Sequence, residues 1–335
     1  MAGRTQPAEG NSQRPDVSYP LIANGLDYLV DVVDQLATLP GRLPNARALK
    51  YAVLHLQAAT EVLLKARLQR EHWTLVFRKP EAATRSAFDS ADFDSCSTDE
   101  AFARLTRITG LALPDKAVTA VKKLARDRNA LQHYGLTAPA AAVEARTADV
   151  LNFLLPFISD HLVPGLDQSQ KADVEGTMYL VRSQLQSIES FLTKRMNELR
   201  AGLQDVQDRT VFCPECAQQA LVLGGDLPSC RFCLKTWDDP GDAASEYAWQ
   251  KRGTDPFVPA GDATAVHECP DCDVDALVIA LTAAAPDTPR HLCFSCVTDF
   301  TDIALTSCEG GCGRLLRADA KDSTCLTCSL FSERT

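Results

Sequence analysis

The sequence predicts a mainly α protein: a helical bundle, a long connecting helix, and then small β-rich modules built around cysteine pairs. Two observations carry that prediction. From Tyr19 to His161 apolar residues recur at steps of three and four, the spacing of one helix face. After residue 210, twelve of the thirteen cysteines fall in six close pairs. At 335 residues the chain is long enough for more than one domain of ordinary size.

With 45% hydrophobic and 23% charged residues, the composition is that of a folded globular chain rather than a disordered or fibrous one. Residues 1–17 are the exception, because they hold little that can be buried and read as a flexible tail. That tail lacks the apolar core of a signal peptide. The longest apolar stretches, Val150 to Ile158 and Ala276 to Ala285, fall short of the ~20 residues a membrane span needs. A cytoplasmic protein without membrane contact is expected. The net charge of −10 is unevenly placed: residues 211–335 hold 9 basic and 19 acidic side chains, while residues 1–210 hold 25 of each. The cysteine-rich segment therefore repels phosphate. DNA is not an expected partner of it, whereas a protein partner is.

The pairs are Cys213/Cys216, Cys230/Cys233, Cys269/Cys272, Cys293/Cys296, Cys308/Cys312 and Cys325/Cys328. A tight C-x-x-C turn lets two thiolates face one ion, and a second such turn some 12–20 residues later completes a tetrahedral site. Taken in order, the pairs predict three four-cysteine sites and about three structural zinc ions per chain. The first encloses Leu221, Val222, Leu223 and a Gly-Gly step, which suits two short strands and a turn, and it resembles a zinc ribbon. Disulfides are the competing reading, opposed by the missing export signal. Redox C-x-x-C motifs would call for a thioredoxin-like βαβ pattern, which is absent. Catalytic zinc keeps an open position, whereas these sites are filled with thiolates. His267 and His291, each two residues before a cysteine, are alternative ligands or neighbours of the sites. The pairing order stays open, since Cys293/Cys296 and Cys308/Cys312 are also close enough to share an ion.

In the helical half, the breakers predict helices at about Pro20–Ala37, ending at Leu39-Pro40-Gly41, and Ala46–Glu71. The second carries Leu49, Ala52, Leu56, Ala59, Leu63 and Ala66 along one face. A loop over about Phe77–Thr98 precedes helices at about Glu100–Ile108, Pro114–Tyr134 and Pro139–Leu162. Further on, Val181, Leu185, Ile188, Leu192, Met196, Leu199, Leu203 and Val206 predict one amphipathic connecting helix over about Gln168–Val206, packed on its own bundle or paired across a dimer. Trp237 to Ala265 reads as a linker. The expected organisation is thus a tail at 1–17, a bundle at 18–165, the connecting helix at 166–208, a first cysteine module at 209–238, the linker at 239–265 and two further sites at 266–335.

Within Pro114–Tyr134, Ala117, Val121, Leu124 and Leu131 keep the helical steps, and Arg128 fills the missing place in the stripe. A cation there needs a carboxylate, a bound anion or a wet cleft. His133 follows five residues later, about 140° round a regular helix from Arg128, whereas Asn129 and His133 share a face. The helix end or a second subunit must bring Arg and His together. Lys122, Lys123 and Arg126 add positive charge, either to steer RNA or simply as a solvated face.

The stretch Arg128-Asn129-Ala130-Leu131-Gln132-His133, late in a helix hairpin and followed by Tyr-Gly and another apolar helix, resembles the R-x-x-x-x-H signature of HEPN domains. Glu61-Val62-Leu63-Leu64-Lys65 resembles the family's second helix. The resemblance covers about Pro20 to Leu162. It implies a HEPN-like bundle forming a homodimer whose motifs meet in a cleft and cleave RNA without a metal ion, in the manner of toxin or phage-defence effectors. In that setting His133 is the proton carrier, Arg128 holds phosphate, Asn129 orients either group, and Glu61 tunes them. Read without the family, His133 is a helix-terminal cation, Arg128 a structural ion pair, and Glu61 a surface partner of Lys65. A non-catalytic HEPN-like adaptor is the rival function. HEPN toxins whose antitoxin modifies them commonly carry Tyr two residues after the His; here that place is Gly135, so the modification is not implied.

Overall fold

The computed structural model describes residues 17–37, 43–250 and 266–332. The expected tail up to residue 16, the Leu39-Pro40-Gly41 breaker and the second half of the expected linker lie outside these residues. Helix accounts for 54% of the structure, so the mainly α class holds.

The bundle is organised around one long helix. Helices α1 (Leu21–Leu36) and α2 (Ala46–Glu71) form an antiparallel pair, and Asn45 caps α2 by accepting the Ala48 N–H at 3.0 Å. The predicted stripe of α2 is buried from Leu49 through Ala66, and Leu64 and Leu68 widen it. It is wide because α2 has neighbours on several sides, touching α1, α4, α5 and α6. The loop after α2 is more ordered than the sequence foretold: a 3-10 turn (Trp73–Val76) and α3 (Arg85–Asp89) fold it back. Arg104, on α4 (Thr98–Arg107), donates to the carbonyls of Leu75, Phe77 and Arg78 and pins that loop. Cys96 is buried beneath it. Helices α5 (Asp115–His133) and α6 (Ala140–His161) complete the bundle.

The expected single connecting helix is two helices. α7 (Gln168–Gln184) ends in a 3-10 turn over Leu185–Ser187, and α8 (Glu189–Gln204) starts after the extended residue Ile188. α7 packs on α1 and α8 on α6, so the stripe is spent within the chain. A 3-10 turn places apolar residues three apart and so continues the steps of three and four without a break. For this reason the hydrophobic pattern passes straight through the turn.

The cysteine modules are not separate beads. Strands β1 (Thr210–Phe212), β2 (Gln219–Val222) and β3 (Ser229–Cys230) form the first ribbon. Instead of a plain linker, α9 (Pro240–Gln250) follows, with Asp239 accepting the Gly241 N–H at 2.6 Å and Ala243, Ala244, Tyr247 and Ala248 buried. Then come β4 (His267–Glu268), β5 (Asp275–Thr282) and β6 (Ala285–Cys293). Val211 pairs with Thr282, so β1 joins β5 and the first two modules share one antiparallel sheet of order β3-β2-β1-β5-β4, with β6 on β5. The last module has its own two-stranded sheet, β7 (Leu305–Ser307) and β8 (Leu315–Arg317), and ends in α10 (Leu326–Ser332).

One close approach fixes the α1–α2 pair. A Cβ added to Gly25 would sit 2.6 Å from Leu63, a fully buried residue of the central helix. Gly25→Ala should therefore lower unfolding stability by about 1–3 kcal/mol through overpacking. Thermal unfolding would read the shift, and the bound-metal count should stay that of the unchanged protein.

Candidate functional sites: three cysteine clusters and the α5 cleft

Each cluster is assembled from consecutive pairs, which settles the pairing left open by the sequence. The groups are Cys213, Cys216, Cys230, Cys233; Cys269, Cys272, Cys293, Cys296; and Cys308, Cys312, Cys325, Cys328, each with its four sulfurs within 4.8 Å of one another. All the described cysteines are free thiols. Sγ–Sγ separations are 3.9 Å for Cys213–Cys233, 3.7 Å for Cys216–Cys230, 3.7 Å for Cys269–Cys296 and Cys272–Cys293, and 3.6 Å for Cys312–Cys325. A tetrahedron with metal–sulfur bonds of ~2.3 Å has edges of about 3.8 Å, whereas a disulfide needs sulfurs at ~2.05 Å. The donor sets fit zinc at about three ions per chain, with His267 and His291 outside the clusters.

The knuckles share a backbone device. The residue after the second cysteine of four pairs, Ala217, Leu234, Asp273 and Val297, has a positive φ between 57° and 65°. Its N–H donates to the carbonyl of the first cysteine of its pair at 2.9–3.0 Å. Side chains seldom adopt this conformation, and it costs roughly 1–2 kcal/mol per residue. Gly313 takes the corresponding place after Cys312.

Cluster 1 is anchored to the helices by two arginines that the sequence reading passed over. Arg182 of α7 pairs with Glu215, inside the Cys213–Cys216 turn, and with Glu175 at 2.5 Å; Lys235 joins Glu175 at 3.2 Å. Burial pushes the Glu215 carboxyl up to about 7 against the pull of Arg182. Burial alone would lower the Arg182 guanidinium, yet Glu215 and Glu175 hold it above its ordinary value. From α8, Arg195 donates to the carbonyls of Arg231 (2.9 Å) and Phe232 (3.3 Å) in the other turn, and Phe191 meets Phe232 edge-on at 5.5 Å. The break between α7 and α8 is what lets both helices face one ribbon. The sequence signal was modest: a carboxylate between two ligands, and an arginine beside the apolar Val181.

The second candidate site lies at α5. Arg128, Asn129 and Glu61 line one open cavity of 540 Å³ between α2, the start of α4 and α5, together with Lys122 and Arg126. Of the three environments the sequence allowed for Arg128, the structure gives the cleft. Its side chain is half-buried, and Nη1 donates to the Asn129 Oδ1 at 2.9 Å. No carboxylate pairs with it among the described residues; Asp127 is taken by Arg146 at 2.5 Å. Glu61 pairs with Lys65 at 2.5 Å, as the i,i+4 spacing foretold, but Lys65 is only 8% exposed and also donates to Ser95 at 2.8 Å. The pair is therefore part of the bundle's packing and not a surface bridge.

His133 is not brought to this cavity. It stands exposed in the last turn of α5, and its ring lies 6.0 Å from that of Tyr134, which is 92% exposed. The helix stays regular to its end, where the N–H groups of Tyr134 and Gly135 both donate to the Ala130 carbonyl and Gly135 takes φ +96°. Nothing in one chain rotates His133 toward Arg128.

Comparison with family models, curated proteins and solved structures finds no match to this chain. No helix among the described residues is long and apolar enough to cross a membrane.

Two outcomes are expected. Cluster 1 has four buried sulfurs, while Cys312 of cluster 3 is exposed and Cys328 half-buried. Graded addition of a chelator should therefore strip metal from cluster 3 before cluster 1, as followed by native mass spectrometry. Replacing Arg182 with Ala leaves the buried Glu215 without its cation, while Glu175 keeps Lys235, and should cost about 3–5 kcal/mol. The paired change Arg182→Met with Glu215→Gln should recover much of that loss in the same thermal unfolding measurement.

Proposed function

We propose that the chain is a dimeric, metal-independent endoribonuclease whose three cysteine clusters hold structural zinc. The observation that carries this reading is the state of Arg128: a half-buried side chain lining an open cavity, with a neutral amide for a partner and no carboxylate among the described residues. Such a group is suited to grip a phosphate through its planar fork. The HEPN resemblance of the surrounding motif makes RNA the substrate class, with a toxin or phage-defence role following from it.

His133 stands apart from Arg128 on the same helix, so the reaction assigns it to a cleft where the α5 ends of two copies approach. There one histidine takes the 2′-hydroxyl proton, O2′ attacks phosphorus, and the P–O5′ bond breaks. The leaving O5′ receives a proton from the partner copy's His133 in its protonated form. Arg128 stabilises charge on the phosphoryl oxygens, and Asn129 fixes its guanidinium. The products are a 2′,3′-cyclic phosphate and a 5′-hydroxyl. The zinc that the clusters would hold supplies fold stability and no chemistry to this reaction, and the acidic ribbon segment serves regulation or docking of a protein partner.

Purified protein should cut RNA but not DNA and leave 2′,3′-cyclic ends, and a brief exposure to EDTA should leave the chemistry unchanged. His133→Ala should lower the rate at least ~100-fold, as should Arg128→Ala. Arg128→Lys, which keeps the charge but not the fork, should stay strongly impaired. Light scattering should show a dimer for wild type and variants alike. If every RNA survives the wild-type protein, or both alanine variants cut as well as it does, a non-catalytic adaptor takes the place of the enzyme.

A further inference from the structure

The α5 cavity contains a polar group that the ribonuclease reading leaves unused. Gln57, on the buried stripe of α2, is 5% exposed and forms part of the cavity lining. Its Nε2 donates to Thr98 Oγ1 at 3.1 Å, while its Oε1 is buried without a hydrogen-bond partner among the described residues. Leaving an amide oxygen unpaired inside a fold costs about 1–3 kcal/mol. A leucine or methionine there would pack on the same face at no such cost, so the glutamine is out of keeping with a purely structural position.

What surrounds it indicates the kind of molecule that would satisfy it. Thr98 opens α4, a ten-residue helix whose capping box engages the N–H groups of Ser97 and Glu100. Thr98 and Asp99 lie at the cavity edge, where the helix dipole and the amides of the first turn favour an anion. The Asp99 carboxylate works against this, but Lys122 lies 3.8 Å from it. The same cavity is lined by Arg128, whose guanidinium has no carboxylate partner among the described residues. The cavity thus combines an anion-favouring rim with one unmatched acceptor, and its 540 Å³ is in the range of small-ligand sites.

We propose that Gln57, positioned by Thr98, is a specificity-determining residue of this cavity. Its Oε1 accepts one hydrogen bond from a ribonucleotide whose phosphate Arg128 holds. The donor is a single O–H or N–H close to that phosphate, carried either by the ribose 2′-hydroxyl or by an amino or imino group of the base. This deepens the ribonuclease reading and rests on it for the choice of ribonucleotide. Recognition of the 2′-hydroxyl would select RNA over DNA at the binding step, whereas recognition of the base would select sequence.

The test uses the full-length, metal-loaded chain, titrated calorimetrically with the four 3′-ribonucleotides, their 2′-deoxy counterparts and inorganic phosphate. Ribonucleotides should bind at least ~10-fold tighter than phosphate, roughly the value of one well-placed hydrogen bond to a buried group. Gln57→Met should erase that advantage and leave phosphate binding as it was. If the hydroxyl is the donor, the ratio of ribo to deoxy affinity collapses in the variant; if the base is, the spread among the four bases collapses. Thr98→Val, which frees the Gln57 amide without removing it, should give an intermediate loss, and it keeps the test decisive should Gln57→Met fold poorly. Unchanged ratios in both variants, or no nucleotide binding at millimolar concentration, would overturn the assignment. RNA cleavage that survives such a result would leave the catalytic reading standing, while nucleotide reading through Gln57 without any cleavage would do the reverse.

Discussion

Bringing four sulfurs within 4.8 Å of one another is the constraint on which the C-terminal part of this protein rests. The strands of the first ribbon are two to four residues long, too short to hold register by pairing alone. Four knuckles also place a side-chain-bearing residue in the left-handed region, so the backbone opposes the geometry it adopts. A metal ion that draws all four thiolates inward would offset both costs and couple ribbon folding to metal binding.

That constraint reaches the helices through cluster 1. Arg182 and Arg195 approach its two turns from α7 and α8, and neither helix could do so alone. The halves of the chain therefore meet through these charged contacts and through apolar packing, with Phe191 against Phe232 in a buried cluster that runs on through Leu203, Val206, Val211 and Leu221. A buried ion pair of this kind contributes little net stability compared with well-packed apolar groups, but it tolerates few alternative arrangements. What it provides is orientation of the ribbon on the bundle.

Much of this was legible in the sequence, and the failures have physical causes. The bounds of α2 and the six cysteine pairs follow directly from residue spacing, because one reports a helix face and the other a coordination shell, whereas spacing left open which pairs share an ion. The break at Leu185–Ser187 was hidden, since a 3-10 turn keeps the apolar steps. α9 was hidden by composition: Asp, Gly, Ala and Pro read as a linker, although Asp239-Pro240 is a helix start and Ala244 and Ala248 share a face with Asp239's first turn behind them. The pairing of β1 with β5 joins Val211 to the distant Thr282 through a single register partner, and no local pattern encodes that. At α5, the angle between Arg128 and His133 was readable and the structure keeps it. Gln57 gave no signal at all, because a glutamine on a buried stripe looks like tolerated noise until its oxygen is found without a partner.

The seam between β1 and β5 also bears on aggregation. β1 is flanked by β2 on one side and β5 on the other, so its backbone amides are paired across both edges where the strands overlap. Were the chain cut after the first ribbon, the side of β1 facing Thr282 would become an open strand edge beside the buried Val211 and Leu221. Unprotected edges of that kind recruit other chains. Release of the first ribbon by proteolysis would therefore leave its four cysteines together and yet expose an edge that self-associates.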